Sequence, residues 1–221
     1  MTKELIKRII TSAILILLLI LMLKYTYIFI SSFLIILTIS WIEFKKILDN
    51  IFINSKKFLI KFFLQLIFFS YLIFFFKIIL DDYLYNKPDI SLNIMFVITI
   101  CILSDIGGYI FGKIIGGKKL TKISPSKTYS GASGSLVLSI FFAIAYSFTF
   151  NIINLISFII MAISISIVCQ LGDIFISYLK RLSNVKDTGK IIPGHGGLLD
   201  RVDGMIFAFP LSYIVFLLIT F

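Results

Sequence analysis

Apolar residues along this chain gather into seven blocks, separated by shorter segments that are polar or basic. A helix of about 20 residues crosses a hydrocarbon core of roughly 30 Å, and most of the blocks are close to that length. Because backbone groups in lipid must be paired internally, and no segment alternates polar and apolar positions, helices are predicted rather than barrel strands. The predicted fold is all-α, a polytopic helical integral membrane protein with about seven transmembrane helices, at residues 9–23, 26–43, 58–80, 91–112, 132–150, 152–176 and 204–221.

The first block resembles the core of a signal peptide, because it is short and follows Lys3, Lys7 and Arg8. No small-x-small cleavage site comes after it, and the next residues read "LKYTYIF". We therefore expect an uncleaved anchor.

Charge is distributed unevenly between the predicted loops. Hydrophobic residues make up 59% of the chain, yet the formal net charge is +10. One alternating set of loops carries 18 of the 21 Lys and Arg residues, and the opposite set holds Lys24, Lys77 and Lys87. By the positive-inside rule, the N-terminus is predicted in the cytoplasm and the C-terminus outside. The expected location is a bacterial cytoplasmic (inner) membrane. The basic loops would face anionic lipid head groups, so no nucleic-acid partner is expected.

The character of the polar residues changes at about residue 90. Before it they are mostly flanking lysines, and Glu43 beside Lys45 and Lys46 is typical of a helix end at the membrane interface. After it, aspartates enter the apolar segments and glycines lie beside basic loops. We therefore predict a single domain with an N-terminal transmembrane anchoring region, 1–90, and a transmembrane region that carries the chemistry, 91–221.

Asp105 lies well inside the fourth block, where an ionised carboxylate costs about 3 kcal/mol. With Gly108, Tyr109 and Gly112 it follows the i, i+3, i+4, i+7 spacing of one helix face. That face could line a cavity or receive a neighbouring helix, and close helix packing explains the glycines but not the aspartate. Asp105 is therefore a candidate functional residue.

The basic loop after this helix contains "SPSKT", residues 124–128, close to several glycines. Hydroxyl groups and an ammonium group around a proline-fixed turn can bind phosphate oxygens. A loop rich in lysine is also the ordinary signal for membrane orientation, so the lysines alone decide little. The compact motif makes Ser124, Lys127 and Thr128 candidate phosphate-binding residues.

A second polar group surrounds the last predicted loop. Asp173, near the end of the sixth block, shares a helix face with Ser177 and Lys180, while Asp200 and Asp203 open the last helix. Carboxylates on two helix ends near one interfacial plane suit Mg²⁺, which usually takes one or two of them and shares its other positions with substrate phosphates. Countercharge for such phosphates is available from Lys180, Arg181, Lys186 and Arg201.

The loop between these helices contains "PGHGG", residues 193–197. Its glycines permit close approach and unusual dihedral angles, so backbone N–H groups could bind an anion beside a helix start. This predicts substrate contacts at Gly194, Gly196 and Gly197. His195 could donate a hydrogen bond to phosphate, protonate a leaving group or occupy a turn, and as the single histidine of the chain it makes a His-based metal site improbable.

Residues 177–203, "SYLKRLSNVKDTGKIIPGHGGLLDRVD", resemble the signature of the phosphatidate cytidylyltransferase (CDP-diacylglycerol synthase) family. That signature is S-x-x-K-R-x4-K-D-x-G-x2-hydrophobic-P-x-H-G-G-x2-D-R-x-D, and the chain departs from it at no fixed position. Residues 105–128 are similar to an earlier region of the family, D-x-x-G/A-Y-x-x-G-K followed by SPxKT. The resemblance covers about residues 100–210.

The resemblance implies transfer of the CMP part of CTP onto phosphatidic acid, with release of pyrophosphate, at an interfacial site on the cytoplasmic side, with 91–221 as the catalytic region. It also implies a Mg²⁺ cofactor, and it is compatible with a second, monovalent cation and with a homodimer. The implied catalytic residues are Asp173, Lys180, His195, Asp200 and Arg201. The implied metal ligands are Asp173 and Asp200, supported by Asp105 and Asp203. Substrate contacts are assigned to Ser124, Lys127, Thr128, Ser177, Arg181, Lys186, Gly194, Gly196 and Gly197.

Three alternatives follow from the same residues. The same CTP chemistry on another lipid phosphate, an ether lipid or an isoprenoid, stays open. A CDP-alcohol phosphotransferase would need Ala where Phe207 stands, and further aspartates downstream, so its spacing fails. A transporter with Asp105 and Asp173 in a cation pathway would leave the loop 177–203 unexplained.

Overall fold

The computed structural model of the chain describes residues 3–53, 57–85, 90–150, 154–192, 194 and 196–220. Over these residues the regular structure is helical, apart from two isolated β-bridges. The helices are α1 (Lys3–Lys24), α2 (Thr26–Ile51), α3 (Phe58–Tyr85), α4 (Ile90–Ile114), α5 (Tyr129–Thr149), α6 (Leu155–Leu182) and α7 (Leu199–Thr220).

Five helices of the described chain are long and apolar enough to cross a membrane. They comprise Thr26–Ile51, Phe58–Asp81, Asn93–Ile114, Tyr129–Thr149 and Leu155–Leu182. Large apolar side chains such as Phe62, Ile67 and Phe141 are exposed on them, as lipid-facing side chains would be. The predicted class, a polytopic helical membrane protein, is confirmed. The apolar part of α1, Ile10–Met22, is shorter, and membrane crossing by α1 and α7 stays a prediction.

Several helices, among them α2, α6 and α7, extend beyond the apolar blocks from which they were predicted. α2 continues past residue 43 to Ile51, α6 continues past residue 176 to Leu182, and α7 begins at Leu199 instead of residue 204. Hydropathy marks only the part of a helix that fits the hydrocarbon core, whereas the backbone hydrogen bonds can continue into the polar head-group region. Each extension therefore carries polar side chains on regular helical backbone.

Two compact units make up the structure: residues 1–80 with 179–202, and residues 81–178 with 203–221. The chain passes between the units within α3, α6 and α7. The expected division of roles at about residue 90 stays a prediction.

The first unit is held together by aromatic contacts between α2 and α3. The rings of Phe44 and Phe68 stack with centroids 3.8 Å apart, and those of Phe33 and Phe75 lie 5.4 Å apart. A ring pair at the separation of Phe33 and Phe75 adds about 1 kcal/mol to the effect of burial alone. The pairs fix the register between the two helices.

The second unit packs α4, α5 and α6 through small residues and an aromatic cluster. A Cβ added at Gly107 of α4 would lie 2.8 Å from the Gly134 carbonyl of α5, and one at Gly131 would lie 2.6 Å from the Gly108 carbonyl. Such close backbones are typical of membrane helices, where small residues form the interface. Phe96 is fully buried at the other end of α4, against Phe142, Tyr146 and Phe158.

Candidate active site

The loop from α6 to α7 starts with a left-handed residue. Asn184 has a φ of 55°, and the Val185 N–H donates to the Lys180 carbonyl at 3.0 Å. Asparagine tolerates this conformation better than most residues, and a left-handed residue after the last turn is a common helix ending. The sequence thus ends α6 there and turns the chain back towards α7.

The tip of this loop is a narrow turn. Ile192 and Gly196 form a β-bridge with backbone hydrogen bonds of 3.0 and 3.2 Å. Gly194 and Gly196 have φ values of 79° and 86°, a region that residues with a Cβ rarely adopt. Gly194 and Gly196, which were predicted to contact substrate, are therefore also required by the backbone of the turn. His195 lies outside the described residues.

Asp200, in the first turn of α7, organises the loop. Its Oδ1 accepts a hydrogen bond from Lys180 Nζ at 2.6 Å. Its Oδ2 accepts hydrogen bonds from the Thr188 N–H at 2.8 Å and the Gly197 N–H at 3.2 Å. The Thr188 hydroxyl also lies 3.0 Å from Oδ2. Each carboxylate oxygen offers about two acceptor positions, so Oδ2 is surrounded by protein donors, whereas Oδ1 has Lys180 as its one recorded partner.

Glu43 of α2 is a functional candidate that the sequence reasoning missed. Its residue is 0% exposed, and its carboxylate accepts the Leu198 N–H at 3.1 Å and the Leu199 N–H at 2.8 Å. The Thr188 hydroxyl donates to its Oε2 at 2.8 Å. The interpretation of Glu43 as a helix end at the membrane interface is wrong, because α2 continues for eight residues beyond it and the side chain is buried against the loop.

Glu43 also fills the place where an external anion was expected. Unpaired N–H groups at a helix start, together with the helix dipole, favour a negative charge. In α7 that charge is the Glu43 carboxylate, which takes the Leu198 and Leu199 N–H groups. The available signal in the sequence was a single acidic residue at the end of a long apolar run, a rare and usually functional placement.

The second unit contains a cavity of about 210 Å³. Pockets for drug-sized ligands are usually about 300–1,000 Å³, so this cavity is smaller than those and is of a size for a phosphate group. It brings together four of the predicted site residues with other polar side chains. The polar lining consists of Ser104, Asp105, Tyr109, Ser126, Lys127, Thr128, Ser135, Gln170 and Asp173.

The "SPSKT" motif forms the turn that was predicted for it. The Lys127 N–H donates to the Ser124 carbonyl at 3.1 Å, with Pro125 in the second position of the turn, where its fixed φ is favourable. A β-bridge between Lys119 and Thr128 closes the loop. Thr128 then caps α5, since its hydroxyl accepts the Gly131 N–H at 3.1 Å. Ser124 lies in the turn and does not itself line the cavity.

Lys127 and Asp173 form an ion pair at the edge of this cavity. The side chain of Lys127 is 22% exposed and that of Asp173 is 31% exposed. The Ser177 hydroxyl donates to Asp173 Oδ1 at 3.3 Å, as their shared helix face predicted. A lysine from one segment and an aspartate from another thus meet at a polar opening of a largely apolar unit.

Asp203 lies where α6 and α7 pack closely in the same unit. Its Oδ1 accepts the Gly204 N–H at 2.8 Å. A Cβ at Gly172 would lie 2.9 Å from the Asp203 carbonyl, and one at Gly204 would lie 2.9 Å from the Cys169 carbonyl. The two glycines therefore allow α6 and α7 to approach each other around Asp203.

The predicted site residues thus fall into two groups, one in each compact unit. The loop group of the first unit holds Lys180, Arg181, Lys186, Gly194, Gly196, Gly197, Asp200 and Arg201. The second unit holds Asp105, Ser124, Lys127, Thr128, Asp173, Ser177 and Asp203. The side chains of Arg181, Lys186 and Arg201 are exposed. Within the described residues, no three His, Cys, Asp or Glu side chains gather closely enough to hold a metal ion by themselves.

Three curated relatives share long stretches with this chain. The phosphatidate cytidylyltransferase of Staphylococcus haemolyticus is 42% identical over 125 residues, which are 55% of this chain and 48% of that protein. The phosphatidate cytidylyltransferase of Rickettsia bellii is 41% identical over 133 residues, 56% of this chain and 58% of that protein. That of Bacillus subtilis is 38% identical over 131 residues, 58% of this chain and 49% of that protein. The chain spans about half the length of the curated relatives it matches.

The family comparison extends over nearly all of the sequence. The model of the cytidylyltransferase family matches residues 1–219 of the 221, including the N-terminal half, which carries none of the motifs quoted above. The resemblance inferred from residues 177–203 is therefore confirmed, and this chain belongs to the cytidylyltransferase family.

Proposed function

We propose that this protein transfers CMP from CTP to phosphatidic acid, giving CDP-diacylglycerol and pyrophosphate. Membership of the cytidylyltransferase family and the names of the similar proteins support this reaction. The observation that carries it is the cavity in the second unit, where Asp105 and Asp173 lie with Lys127 and Thr128. Acidic groups for a cation and basic and hydroxyl groups for a phosphate are both present there.

The proposed reaction needs electrostatic help more than a general base. A phosphate monoester is largely ionised at neutral pH, so an oxygen of phosphatidate attacks the α-phosphorus of CTP without prior deprotonation by the protein. One P–O bond forms at the α-phosphorus, and the bond from the α-phosphorus to the β-phosphate oxygen breaks. Pyrophosphate leaves with additional negative charge, which cationic side chains stabilise. A chain with a single histidine suits this chemistry.

Lys127 is the residue that we propose to bind a substrate phosphate. In the absence of substrate its charge is balanced by Asp173. A phosphate entering the cavity would meet its ammonium group together with the hydroxyls of Ser126 and Thr128. Lys127 would then exchange one anionic partner for another, which releases the Asp173 carboxylate for a different contact.

The donor chemistry of the cavity fits Mg²⁺, which prefers oxygen ligands and commonly takes only one or two protein carboxylates. Asp105 and Asp173 supply two carboxylates, and Ser104 and Gln170 supply neutral oxygens. Bound there, the ion would offset the charge of the phosphates. Asp203, in the same unit, is proposed to assist, and the metal role that the family resemblance assigns to Asp200 stays a prediction. A second, monovalent cation is compatible with the same set of oxygens.

The membrane setting is part of the proposal. CTP is soluble, whereas phosphatidate is held in the leaflet by its acyl chains, so a site at helix ends allows them to meet without extraction of the lipid. The charge distribution supports a cytoplasmic N-terminus and a site that faces the cytoplasm, in a bacterial inner membrane. The homodimer expected from the family resemblance stays a prediction.

The test is reconstitution of the purified chain in liposomes that contain phosphatidate, with CTP labelled at the α-phosphate and Mg²⁺. We expect the label to enter a chloroform-soluble CDP-lipid, with one pyrophosphate released for each lipid formed. Parallel liposomes with an ether-lipid phosphate or an isoprenoid phosphate define the acceptor. Absence of labelled lipid with all three acceptors, from protein shown to be folded, would refute the reaction.

A further inference from the structure

Glu43 is the most completely buried acidic side chain among the described residues, and its partners all lie in one stretch of chain. The residue is 0% exposed. Its three hydrogen-bond donors are the Leu198 N–H, the Leu199 N–H and the Thr188 hydroxyl, at 2.8 to 3.1 Å. They are 145 to 156 residues away along the chain. A buried carboxylate is tolerated only when it is hydrogen-bonded in this way, so the contacts are specific.

Two glycines of the loop make room for this side chain. A Cβ added at Gly189 would collide with the Glu43 carboxylate. A Cβ added at Gly197 would lie 2.8 Å from Glu43 Oε2 and 2.6 Å from the Gly189 backbone nitrogen, and would also collide with the Thr188 side chain. The glycines at 189 and 197 are therefore needed for contact with Glu43 and not only for flexibility of the loop.

Thr188 connects Glu43 to Asp200. Its hydroxyl lies 2.8 Å from Glu43 Oε2 and 3.0 Å from Asp200 Oδ2, and a hydroxyl has one proton to donate to one of them at a time. Its backbone N–H donates to the same Asp200 oxygen at 2.8 Å. Gly197, packed against Glu43, donates to that oxygen as well. Thr188 thus contacts both carboxylates, and Gly197 is hydrogen-bonded to Asp200 while it packs against Glu43.

We infer that Glu43 is a positioning residue: from α2, it fixes the start of α7 and Thr188, and through them it sets the orientation of the Asp200 carboxylate. The kinetic part of this inference rests on the proposed function. Glu43 itself is enclosed by protein groups and does not meet substrate. Helix α2 therefore takes part in the reaction by holding in place the loop between α6 and α7, residues 183–198, which is called the signature loop below.

The test variant is Glu43→Gln, which keeps the size of the side chain and removes its charge. One oxygen can still accept a hydrogen bond, but the new NH₂ group would face an N–H donor. The matched control is Asp49→Asn, on the same helix, whose carboxylate pairs with Lys61 at 2.6 Å and takes no part in the loop contacts described above. Both proteins are studied as full chains in the same lipid nanodiscs.

The first measurement is hydrogen exchange at the Leu198 and Leu199 amides, resolved by fragmentation of the loop peptide. Loss of a hydrogen bond to a charged group should accelerate their exchange about tenfold in Glu43→Gln. Asp49→Asn should exchange at the wild-type rate. Unchanged exchange in Glu43→Gln would overturn the assignment of Glu43 as the group that fixes this helix start.

The second measurement is kcat and KM for CTP. Glu43→Gln is expected to lower kcat about tenfold with less than a threefold change in KM, because the orientation of Asp200 and not the affinity for CTP is altered. Faster exchange with an unchanged kcat overturns the positioning role. If wild-type protein forms no CDP-lipid, the proposed function fails and the catalytic role of Glu43 fails with it, while the exchange data still decide whether Glu43 holds the loop.

A second pair of variants covers the case in which Glu43→Gln does not fold. Thr188→Val removes the hydroxyl that links the two carboxylates and keeps the shape of the side chain, whereas Thr188→Ser retains the hydroxyl. We expect Thr188→Ser to keep kcat within about twofold of wild type and Thr188→Val to lower it about tenfold. Equal kcat values for the two variants overturn the proposed link.

Discussion

Lys180 and Asp200 lie 20 residues apart in the chain and form an ion pair of 2.6 Å that closes the signature loop at its base. The two side chains are only 14% and 8% exposed. A second ion pair, Lys61 with Asp49, has the same N–O distance, but its side chains are 28% and 41% exposed. Because the N–O distance is the same and the exposure differs, a comparison of the two pairs isolates the effect of burial on the stability that each pair contributes.

Replacement of Lys180 by Met should destabilise the protein strongly. The variant leaves the Asp200 carboxylate largely buried without its cation, a situation that costs about 3 kcal/mol. The equivalent change in the exposed pair, Lys61→Met, should cost less than about 1 kcal/mol, because water and salt screen its partner. Thermal unfolding of both variants in one detergent measures the difference. Equal losses of stability would contradict the role given to burial.

Replacement of Lys127 by Met should raise the KM for CTP or for the lipid at least tenfold, since we propose that its ammonium group binds a phosphate of one of these substrates. The control is Lys122→Met, an exposed lysine of the same loop that does not line the cavity. Steady-state kinetics in liposomes, with CTP and the lipid varied separately, measure both variants. A similar change in KM for the two variants would mean that Lys127 contributes only to the general positive charge of the loop.

Asp173→Asn should abolish transfer, with a loss of at least about a thousandfold, while the protein still inserts into membranes. The amide keeps the hydrogen bond from Ser177 but loses the charge that is proposed to hold the cation. Membrane fractionation and size-exclusion chromatography confirm insertion and folding. Turnover close to wild type at saturating Mg²⁺ would remove Asp173 from the metal site.

Local pattern was enough to predict the helices and the "SPSKT" turn, because both depend on neighbouring residues. Apolar blocks of membrane length predict spans, and a proline within a short polar run predicts a turn. The outer turns of α2, α6 and α7 were missed because hydropathy falls where the hydrocarbon ends, although the helix continues. The family resemblance then supplied the site residues of the C-terminal half.

The role of Glu43 could not be predicted from sequence, because its partners lie 145 to 156 residues away. Its neighbours Lys45 and Lys46 are typical of a membrane interface and favoured the wrong interpretation. The local sequence pattern does not show which helix start a buried carboxylate will contact. Only the packed structure shows that Gly189 and Gly197 leave space for it.

Membrane orientation is a prediction that labelling can check. Asn184, in the loop after α6, is expected on the cytoplasmic side, and Phe150, at the end of α5, on the outside. The native thiols of Cys101 and Cys169 are buried and should give little background. An impermeant maleimide added to intact spheroplasts should label Phe150→Cys and spare Asn184→Cys until the cells are opened. The reverse pattern would place the signature loop outside.

The contact between Gly189 and Glu43 predicts non-additive stability. Gly189→Ala places a methyl group against the Glu43 carboxylate and should cost about 1–3 kcal/mol, as overpacking of a filled interior usually does. In the background of Glu43→Ala the space is empty, so the same change should cost much less. Residues in contact commonly show interaction energies of about 0.5–3 kcal/mol in such double-mutant cycles. Unfolding measurements on the four proteins test this, and a cost of Gly189→Ala that is the same in both backgrounds would mean that the loop does not pack on Glu43 in the membrane protein.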